Sequence, residues 1–225
     1  MSPQPVSAPL PIMVLISGEG SNLQAILDQS QRDHLIEVRA VISSRTETHG
    51  LRRARAADIP AHSLPVEDFT TRERYDAALI QCIDEYKPVL IVLAGFMRIL
   101  TDNFVQHYRG RLLNIHPSLL PKYPGLDTHR RALAAGDHEH GCSVHFVTEA
   151  LDGGPVIAQA QVPVLPGDDA QRLKARVQSR EHLLYPQVLN WFASGRVKLE
   201  AGRVRFDGLP LRQPKILEWN EDAIA

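Results

Sequence analysis

Short apolar runs alternate with amphipathic stretches along the first half of the chain, and this alternation limits the fold more than any other feature. The short apolar runs cover residues 12–17, 37–43 and 89–95. Between them, apolar residues recur at helical spacing in NLQAILDQSQ, TETHGLRRARAAD and TRERYDAALIQCIDEY. Strands that are buried on both faces and joined by amphipathic helices form a parallel sheet. The pattern therefore predicts an α/β fold in which helices flank a mostly parallel sheet.

The second half of the chain follows a different pattern. After RLLNIH (111–116), prolines and glycines are too frequent for a helix and predict an ordered loop. Residues 142–148 and 156–164 alternate like two neighbouring strands joined by a turn, which adds antiparallel strands to the sheet. A long helix is expected from about Asp168 to Ala193, and the tail has only weak strand signals. Because neither a linker nor an internal repeat occurs, we expect one domain over 12–225 after a flexible leader, 1–11.

The balance of charges favours small-molecule chemistry. With 25 Lys+Arg against 26 Asp+Glu, the chain lacks the basic field that attracts nucleic acid or an anionic membrane. Its two cysteines, Cys82 and Cys142, are too few for a disulfide framework or a cysteine zinc site, which indicates a reducing compartment. The first residues, MSPQPVSAPLP, have neither the basic residue nor the apolar run of a signal peptide. We therefore expect a cytoplasmic protein with no nucleic-acid or membrane partner.

A glycine loop joins the first expected strand to the first expected helix. Gly18 and Gly20 precede Ser21 and Asn22 at the helix start, and free N–H groups there favour an anion such as phosphate. A dinucleotide fingerprint would have a third glycine where Leu23 stands, and the lysine of a nucleoside-triphosphate loop is absent. The same residues also suit a plain turn followed by a helix cap. From this pattern, phosphate binding and simple capping both stay open.

Asn114 and His116 fall two positions apart at the end of an expected strand, so their side chains lie on one face. An amide N–H stabilises an oxygen that gains negative charge, and an imidazole exchanges a proton near neutral pH. Asp152 stands in a glycine-rich turn, and a carboxylate beside a histidine orients the ring and favours its charged form. Together these residues predict attack on a carbonyl carbon. A structural histidine and a turn-forming aspartate are the alternatives, and no Gly-x-Ser-x-Gly nucleophile is present.

A second pair of histidines lies in DHEHG, at His138 and His140. Two histidines can begin a metal site, but no Cys or His cluster completes one here. Because charged residues and a glycine surround the pair, we expect a solvated turn at this point and no metal in the protein.

Assembled in order, these segments resemble the phosphoribosylglycinamide formyltransferase family of folate-dependent enzymes in purine biosynthesis. The motifs that carry the resemblance run from about residue 12 to 186 and are SGEGSNLQAI, VLAGFMRIL, LLNIHPSLLPKYPGLDTHRRAL, HGCSVHFVTEALDGGPVI and RVQSREHLLYP. The resemblance implies a single-domain formyltransferase fold with a Rossmann-like sheet. It also implies direct transfer of a formyl group from 10-formyltetrahydrofolate, as co-substrate, to the glycinamide amine of a ribonucleotide.

The functional residues of the family map onto this chain motif by motif. The resemblance assigns catalysis to Asn114, His116 and Asp152. The residues expected to bind the ribonucleotide are Gly20, Ser21, Asn22, Gln178 and Glu181. Those expected to bind the folate are Arg72, Met97, Arg98, Ile99, Leu100 and Asn114. The ribonucleotide-binding half is then expected over about 12–108 and the folate and catalytic half over about 109–200, in a monomer or homodimer whose substrates are small molecules.

Other functions share parts of this pattern. Formyltetrahydrofolate deformylase, the main alternative, passes the formyl group to water but usually has an N-terminal regulatory domain. Methionyl-tRNA formyltransferase needs a second, RNA-binding domain, and only residues 187–225 follow EHLLYP. A nucleotide-binding module without catalysis would not need the trio, and the missing third glycine opposes an NADP-dependent reductase. Two departures from the family pattern, Glu19 and Asp127, leave the contacts of their loops open.

Overall fold

Eight strands form the main sheet of the computed structural model, which describes residues 8–217. In chain order the strands and helices are β1 (Leu10–Ile16), α1 (Ser21–Asp33), β2 (Ile36–Ser43), α2 (His49–Ala56), β3 (Ala61–Ser63), α3 (Arg72–Glu85), β4 (Leu90–Leu93), α4 (Asp102–His107), β5 (Leu112–His116), α5 (Thr128–Ala134), β6 (Glu139–Phe146), β7 (Val156–Pro163), α6 (Ala170–Ala193), β8 (Val197–Glu200), β9 (Arg203–Phe206), β10 (Leu209–Pro210) and β11 (Lys215–Leu217). A short 3-10 helix at Val66–Asp68 precedes α3. Within residues 8–217, no helix has both the length and the apolar character needed to cross a membrane.

The strands lie across the main sheet in the order β11-β7-β6-β5-β4-β1-β2-β3. β1 pairs in parallel with β2 on one side and with β4 on the other, and β4 pairs in parallel with β5. β6 runs antiparallel to both β5 and β7, while β11 is parallel to β7. The predicted α/β fold, a mostly parallel sheet with antiparallel strands in the C-terminal half, is confirmed. Because the strand order reverses beside β1, a crevice forms where the carboxyl ends of β1 and β4 diverge into their loops.

β1 shows why the central strands are apolar at every position. Ile12, Val14 and Ile16 belong to one buried core, and Met13 and Leu15 belong to another. Successive residues of a strand point to opposite faces, so a strand that is covered on both sides needs apolar side chains throughout. Helices α1, α2 and α6 supply the first core, and α3 and α4 supply the second.

Several elements differ from the sequence expectation. β1 begins at Leu10, so Leu10 and Pro11 belong to the sheet and not to a flexible leader, while residues 1–7 lie outside the described part. The short elements β3, α4 and α5 have no separate signal in the sequence. The tail, expected to lack clear elements, forms a small antiparallel sheet, β10-β9-β8, and β11 joins the main sheet. Val204 and Phe206 pack on the main core, so tertiary contacts stabilise strands whose local pattern is weak.

Candidate active site

The polar residues singled out in the sequence collect at one edge of the main sheet. Since β1, β4 and β5 are parallel, the loops that follow them leave from the same edge. The register places Leu93, at the end of β4, beside Asn114 of β5. Tyr185 of α6 supports this region, because its hydroxyl lies 3.1 and 3.2 Å from the carbonyl oxygens of Leu93 and Leu113. In open α/β sheets, small ligands bind at this edge, where the strand order reverses.

The glycine loop between β1 and α1 is shaped by close packing against α2. Gly20 is the N-cap of α1 and has a left-handed backbone, φ 72°. A Cβ on Gly20 would stand 2.6 Å from the Cα of Gly50, so a side chain is excluded at this position. The Gly50 N–H also donates to the Gly18 carbonyl oxygen at 3.0 Å. Sequence reasoning missed Gly50, because its importance lies in a contact between the glycine loop and the first turn of α2, which are distant in sequence.

Ser21 and Asn22 meet the remaining residues of the expected ribonucleotide set on α6. Gln178 Nε2 donates to Ser21 Oγ at 2.8 Å, and Asn22 Nδ2 donates to Glu181 Oε2 at 2.8 Å. Burial raises the pKa of the Glu181 carboxyl, an effect that the Asn22 donor opposes. Asn22 Oδ1 is buried and finds no hydrogen-bond partner among residues 8–217. The fold thus brings two distant segments of the chain together at the start of α1.

Glu19, a departure from the family pattern, is paired with Arg53 of α2. Arg53 Nη2 lies 3.1 Å from Glu19 Oε1, and Arg53 Nε donates to the Glu19 carbonyl oxygen at 3.0 Å. His49 Nδ1 lies 3.5 Å from the same carboxylate oxygen. Although the Glu19 side chain is 64% exposed, Arg53 contacts both its backbone and its charge. Asp127, the second departure, is the exposed N-cap of α5 with φ 57°, and its side chain does not cap that helix.

The segment Met97–Leu100 follows β4 and presents apolar side chains to solvent. Met97 and Ile99 are 62% and 63% exposed, and two large apolar side chains exposed in one short segment mark a candidate ligand surface. Arg72, the first residue of α3, is exposed as well. Five of the six expected folate residues, all except Asn114, therefore lie before residue 108. The expected division into a ribonucleotide-binding half over about 12–108 and a folate and catalytic half over about 109–200 stays a prediction.

His116 lies at the end of β5 with both ring nitrogens beside oxygen acceptors. Its Nδ1 is 3.3 Å from Asp152 Oδ2, and its Nε2 is 2.8 Å from the carbonyl oxygen of Tyr123. The side chains of His116 and Asp152 are only 7% and 10% exposed, so water screens this pair weakly. Only the doubly protonated imidazolium can donate to both acceptors at once. The structure thus brings His116 and Asp152 into contact, which sequence spacing alone could not establish.

Asn114 is oriented by His145, a residue that sequence reasoning missed. His145 Nδ1 lies 2.9 Å from the Phe146 carbonyl oxygen and so carries a proton, which leaves Nε2 to accept from Asn114 Nδ2 at 3.2 Å. Burial lowers the pKa of His145, an effect that the Phe146 carbonyl and the Asp152 charge oppose, and this direction favours the neutral ring. One of the two amide N–H groups of Asn114 is then engaged, and the second can serve a ligand. The alternating run CSVHFVT was the available signal, because this strand places His145 opposite Asn114.

The turn that carries Asp152 is shaped by the glycines after it. Asp152 has a left-handed backbone, φ 50°, and its Oδ2 accepts from the Gly125 N–H at 2.8 Å. A Cβ on Gly154 would lie 1.8 Å from the Phe146 carbonyl oxygen, so only glycine fits. The turn therefore holds the carboxylate between His116 and the loop that follows β5.

The expectation of a solvated turn in DHEHG is wrong for His140, which is buried in a strand. His138 is exposed, but His140 lies within β6 and is 1% exposed. Its Nε2 is 3.2 Å from His129 Nδ1, and burial lowers the pKa of both imidazoles to about 4. β6 extends over the charged residues because β7 pairs with it as far as Glu139. Across residues 8–217, no group of three or more His, Cys, Asp or Glu side chains is placed to hold a metal ion.

Fold and site together define the class of the protein, an α/β enzyme with a small-molecule site where the strand order reverses. Comparison with known proteins gives the family. The formyl transferase family model matches residues 10–189, and the chain belongs to this family. The resemblance found in the sequence motifs is thereby confirmed.

Individual relatives match most of the chain. Phosphoribosylglycinamide formyltransferase of Escherichia coli (strain K12) is 59% identical over 198 residues, which cover 88% of this chain and 93% of that protein. The trifunctional purine biosynthetic protein adenosine-3 of Homo sapiens is 42% identical over 195 residues, which cover 86% of this chain but 19% of that longer protein. A solved structure of phosphoribosylglycinamide formyltransferase from Coxiella burnetii has a TM-score of 0.90 at 55% identity, with 93% of this chain and 99% of that chain covered.

Proposed function

We propose that the protein transfers the formyl group of 10-formyltetrahydrofolate to the amine of glycinamide ribonucleotide, giving the N-formyl product and tetrahydrofolate in purine biosynthesis. The observation that carries this proposal is the buried contact of His116 with Asp152, next to Asn114, at the sheet edge that also holds the glycine loop. A relative that is 59% identical over most of the chain is named for this reaction.

The phosphate of the ribonucleotide binds at the start of α1 in this proposal. Gly20, Ser21 and Asn22 offer backbone N–H groups that lack intrahelical partners, as at any helix start. Gln178 reaches the same point through Ser21. Glu181 suits the sugar hydroxyls better than the phosphate, because an ionised carboxylate accepts from hydroxyls and repels another anion.

The folate lies along Met97–Leu100 as a co-substrate. Exposed Met97 and Ile99 pack on the flat pterin ring, while backbone N–H and C=O groups of the segment pair with its polar edge. Arg72 and Arg98, both exposed, supply positive charge for the acidic tail of the folate. The formyl group then lies beside Asn114, because β4 and β5 are neighbours in the sheet.

The transfer proceeds by direct attack. The neutral glycinamide amine attacks the formyl carbon, and the carbonyl electron pair moves onto oxygen to give a tetrahedral intermediate. The free amide N–H of Asn114 and the His116 imidazolium stabilise that oxyanion. The carbonyl then re-forms, the bond to folate N10 breaks, and the proton lost by the amine passes to N10. Asp152 stabilises the charged His116 and, through water, assists the movement of the proton.

The bond from His116 to the loop after β5 adds one requirement. His116 Nε2 donates to the Tyr123 carbonyl oxygen at 2.8 Å, while Nδ1 faces Asp152. For Nε2 to donate to the formyl oxygen instead, the loop 117–127 must release it. The proposal therefore includes a shift of this loop when the substrates bind.

We place this activity in the cytoplasm, in a monomer or homodimer that acts on small molecules without nucleic acid or membrane. The nearly balanced charge supports this view, as do the two free thiols, Cys82 and Cys142.

An absorbance assay for loss of a 10-formylfolate, run with and without glycinamide ribonucleotide, tests the proposal. Turnover that requires the ribonucleotide is the expected result. Equal turnover without the ribonucleotide would mean that water is the acceptor. The deformylase alternative would then replace the proposal, and the proposed ribonucleotide-binding roles of Gly20, Ser21 and Asn22 would lose their support.

A further inference from the structure

The segment Met97–Leu100 is attached at both ends by buried side chains from other parts of the fold. The Met97 N–H donates to Ser17 Oγ at 2.8 Å. The Thr101 N–H, directly after the segment, donates to Asp76 Oδ2 at 2.7 Å. Ser17 and Asp76 are only 4% and 3% exposed, so both acceptors are held within the protein.

Between these two attachments, the segment packs against the second core through Leu100, which is partly buried, while the side chains before it point to solvent. Residues 97–100 belong to neither a helix nor a strand. Met97 and Ile99 are more than half exposed, so their side chains do not anchor the backbone in a core. The position of the backbone N–H and C=O groups of residues 97–99 therefore depends largely on the hydrogen bonds at the two ends.

Ser17 is placed to connect the two loops of the site. It directly follows β1 and directly precedes Gly18 of the glycine loop. Its Oγ lies 2.6 Å from Ser44 Oγ, just after β2, in addition to its contact with Met97. A hydroxyl can accept two hydrogen bonds and donate one, so Ser17 satisfies both neighbours. Alanine at this position would leave the Met97 N–H without its acceptor.

Asp76 holds the other end from α3. It lies four residues after Arg72, so the two side chains share one face of the helix. A carboxylate accepts a backbone N–H more strongly than a neutral acceptor does. The same helix face thus presents Arg72 and fixes the end of the neighbouring segment.

We propose that Ser17 and Asp76 are positioning residues that set the backbone of Met97–Leu100 for the formyl-folate, an inference that rests on the proposed function. Neither side chain contacts the folate. Each acts through one backbone N–H, and loss of either lets the segment move, so that its polar groups no longer meet the pterin edge. The effect falls on folate binding, because the phosphate loop and the catalytic trio keep their own contacts.

The test compares Ser17→Ala and Asp76→Ala with the conservative variants Ser17→Thr and Asp76→Asn, which keep an oxygen acceptor. Ser43→Ala is the matched control, since Ser43 is a fully buried serine at the end of β2 whose hydroxyl donates to the Arg45 carbonyl oxygen at 2.7 Å. We expect the KM for the formyl-folate to rise about fivefold in Ser17→Ala and about tenfold or more in Asp76→Ala. The conservative variants should recover most of the affinity. The KM for the ribonucleotide should stay within about twofold of the parent value.

Amide hydrogen exchange in the ligand-free variants gives a second readout. Met97 should exchange faster in Ser17→Ala and Thr101 faster in Asp76→Ala, with no change in Ser43→Ala. If the parent enzyme turns over but the alanine variants keep its folate KM, the positioning role is overturned while the proposed function stands. Equal losses in folate KM, ribonucleotide KM and kcat would also overturn it, because they indicate general damage. Absence of ribonucleotide-dependent turnover in the parent would overturn the proposed function and this inference together.

Discussion

Replacement of Asp152 by asparagine perturbs the contact on which the proposed mechanism depends most. Asparagine keeps the size of the side chain and an oxygen that can accept the Gly125 N–H, so the turn should keep its conformation. The substitution removes the negative charge that lies 3.3 Å from His116 Nδ1. The variant therefore changes the electrostatics of the site more than its packing.

The expected loss follows from the geometry of the pair. Opposite unit charges 3.3 Å apart attract by about 5 kcal/mol at an effective dielectric constant of about 20. Solvent screening removes little of this, because the two side chains are only 7% and 10% exposed. The amide dipole of asparagine retains part of the interaction, so we expect a loss of about 3 kcal/mol in transition-state stabilisation. That loss corresponds to a fall in kcat of about 150-fold.

The assay is steady-state turnover of formyl-folate with the ribonucleotide varied. The KM for the ribonucleotide should stay within about threefold of the parent value, because its proposed site is built from other residues. Asp168→Asn is the matched control, since Asp168 is a 4% exposed carboxylate that pairs with Arg176 at 2.6 Å outside the site. This control should lower thermal stability and leave kcat nearly unchanged. A kcat for Asp152→Asn close to the parent value, with an unaltered pH–rate profile, would refute the electrostatic role of Asp152.

Three further outcomes are expected. Gln178→Ala removes the donor to Ser21 and should raise the ribonucleotide KM about fivefold with kcat little changed, whereas an unchanged KM would place the phosphate elsewhere. Glu19→Asn removes the carboxylate that pairs with Arg53 beside the glycine loop, so more positive charge faces the proposed phosphate site. The ribonucleotide KM should therefore fall, most clearly at low salt. A change in KM that is the same at low and at high salt would contradict this reasoning. Burial lowers the pKa of His129 and His140 to about 4 in the folded protein, whereas both imidazoles titrate near 6.5 in the unfolded chain. As the pH falls from about 6.5 to about 4, the unfolded chain therefore takes up protons that the folded protein does not, and the stability of the fold should decline. Unfolding midpoints measured over this range should decline less in His140→Gln, and identical declines would remove these histidines as the cause.

Local pattern was sufficient for the features that depend on neighbours in sequence. The apolar runs and helical spacings predicted β1, β2, β4 and the helices α1, α2 and α3. This was possible because the spacing of apolar residues within each element shows which of its faces is buried. The spacing of Asn114 and His116 on one strand predicted that they share a face. The motifs also indicated the family, which the match over residues 10–189 confirms.

Only the tertiary structure decided which distant residues meet. Strand order places β4 between β1 and β5, and this order brings the glycine loop, the segment Met97–Leu100 and His116 to one edge. The contact of His116 with Asp152 depends on the loop and turn conformations, and the pairing of Asn114 with His145 depends on strand register. The tail strands escaped prediction because they gain their stability from packing on a core that lies elsewhere in the sequence. The sequence by itself determined the elements and the chemical groups, whereas the contacts between them arise from long-range packing that no local pattern records.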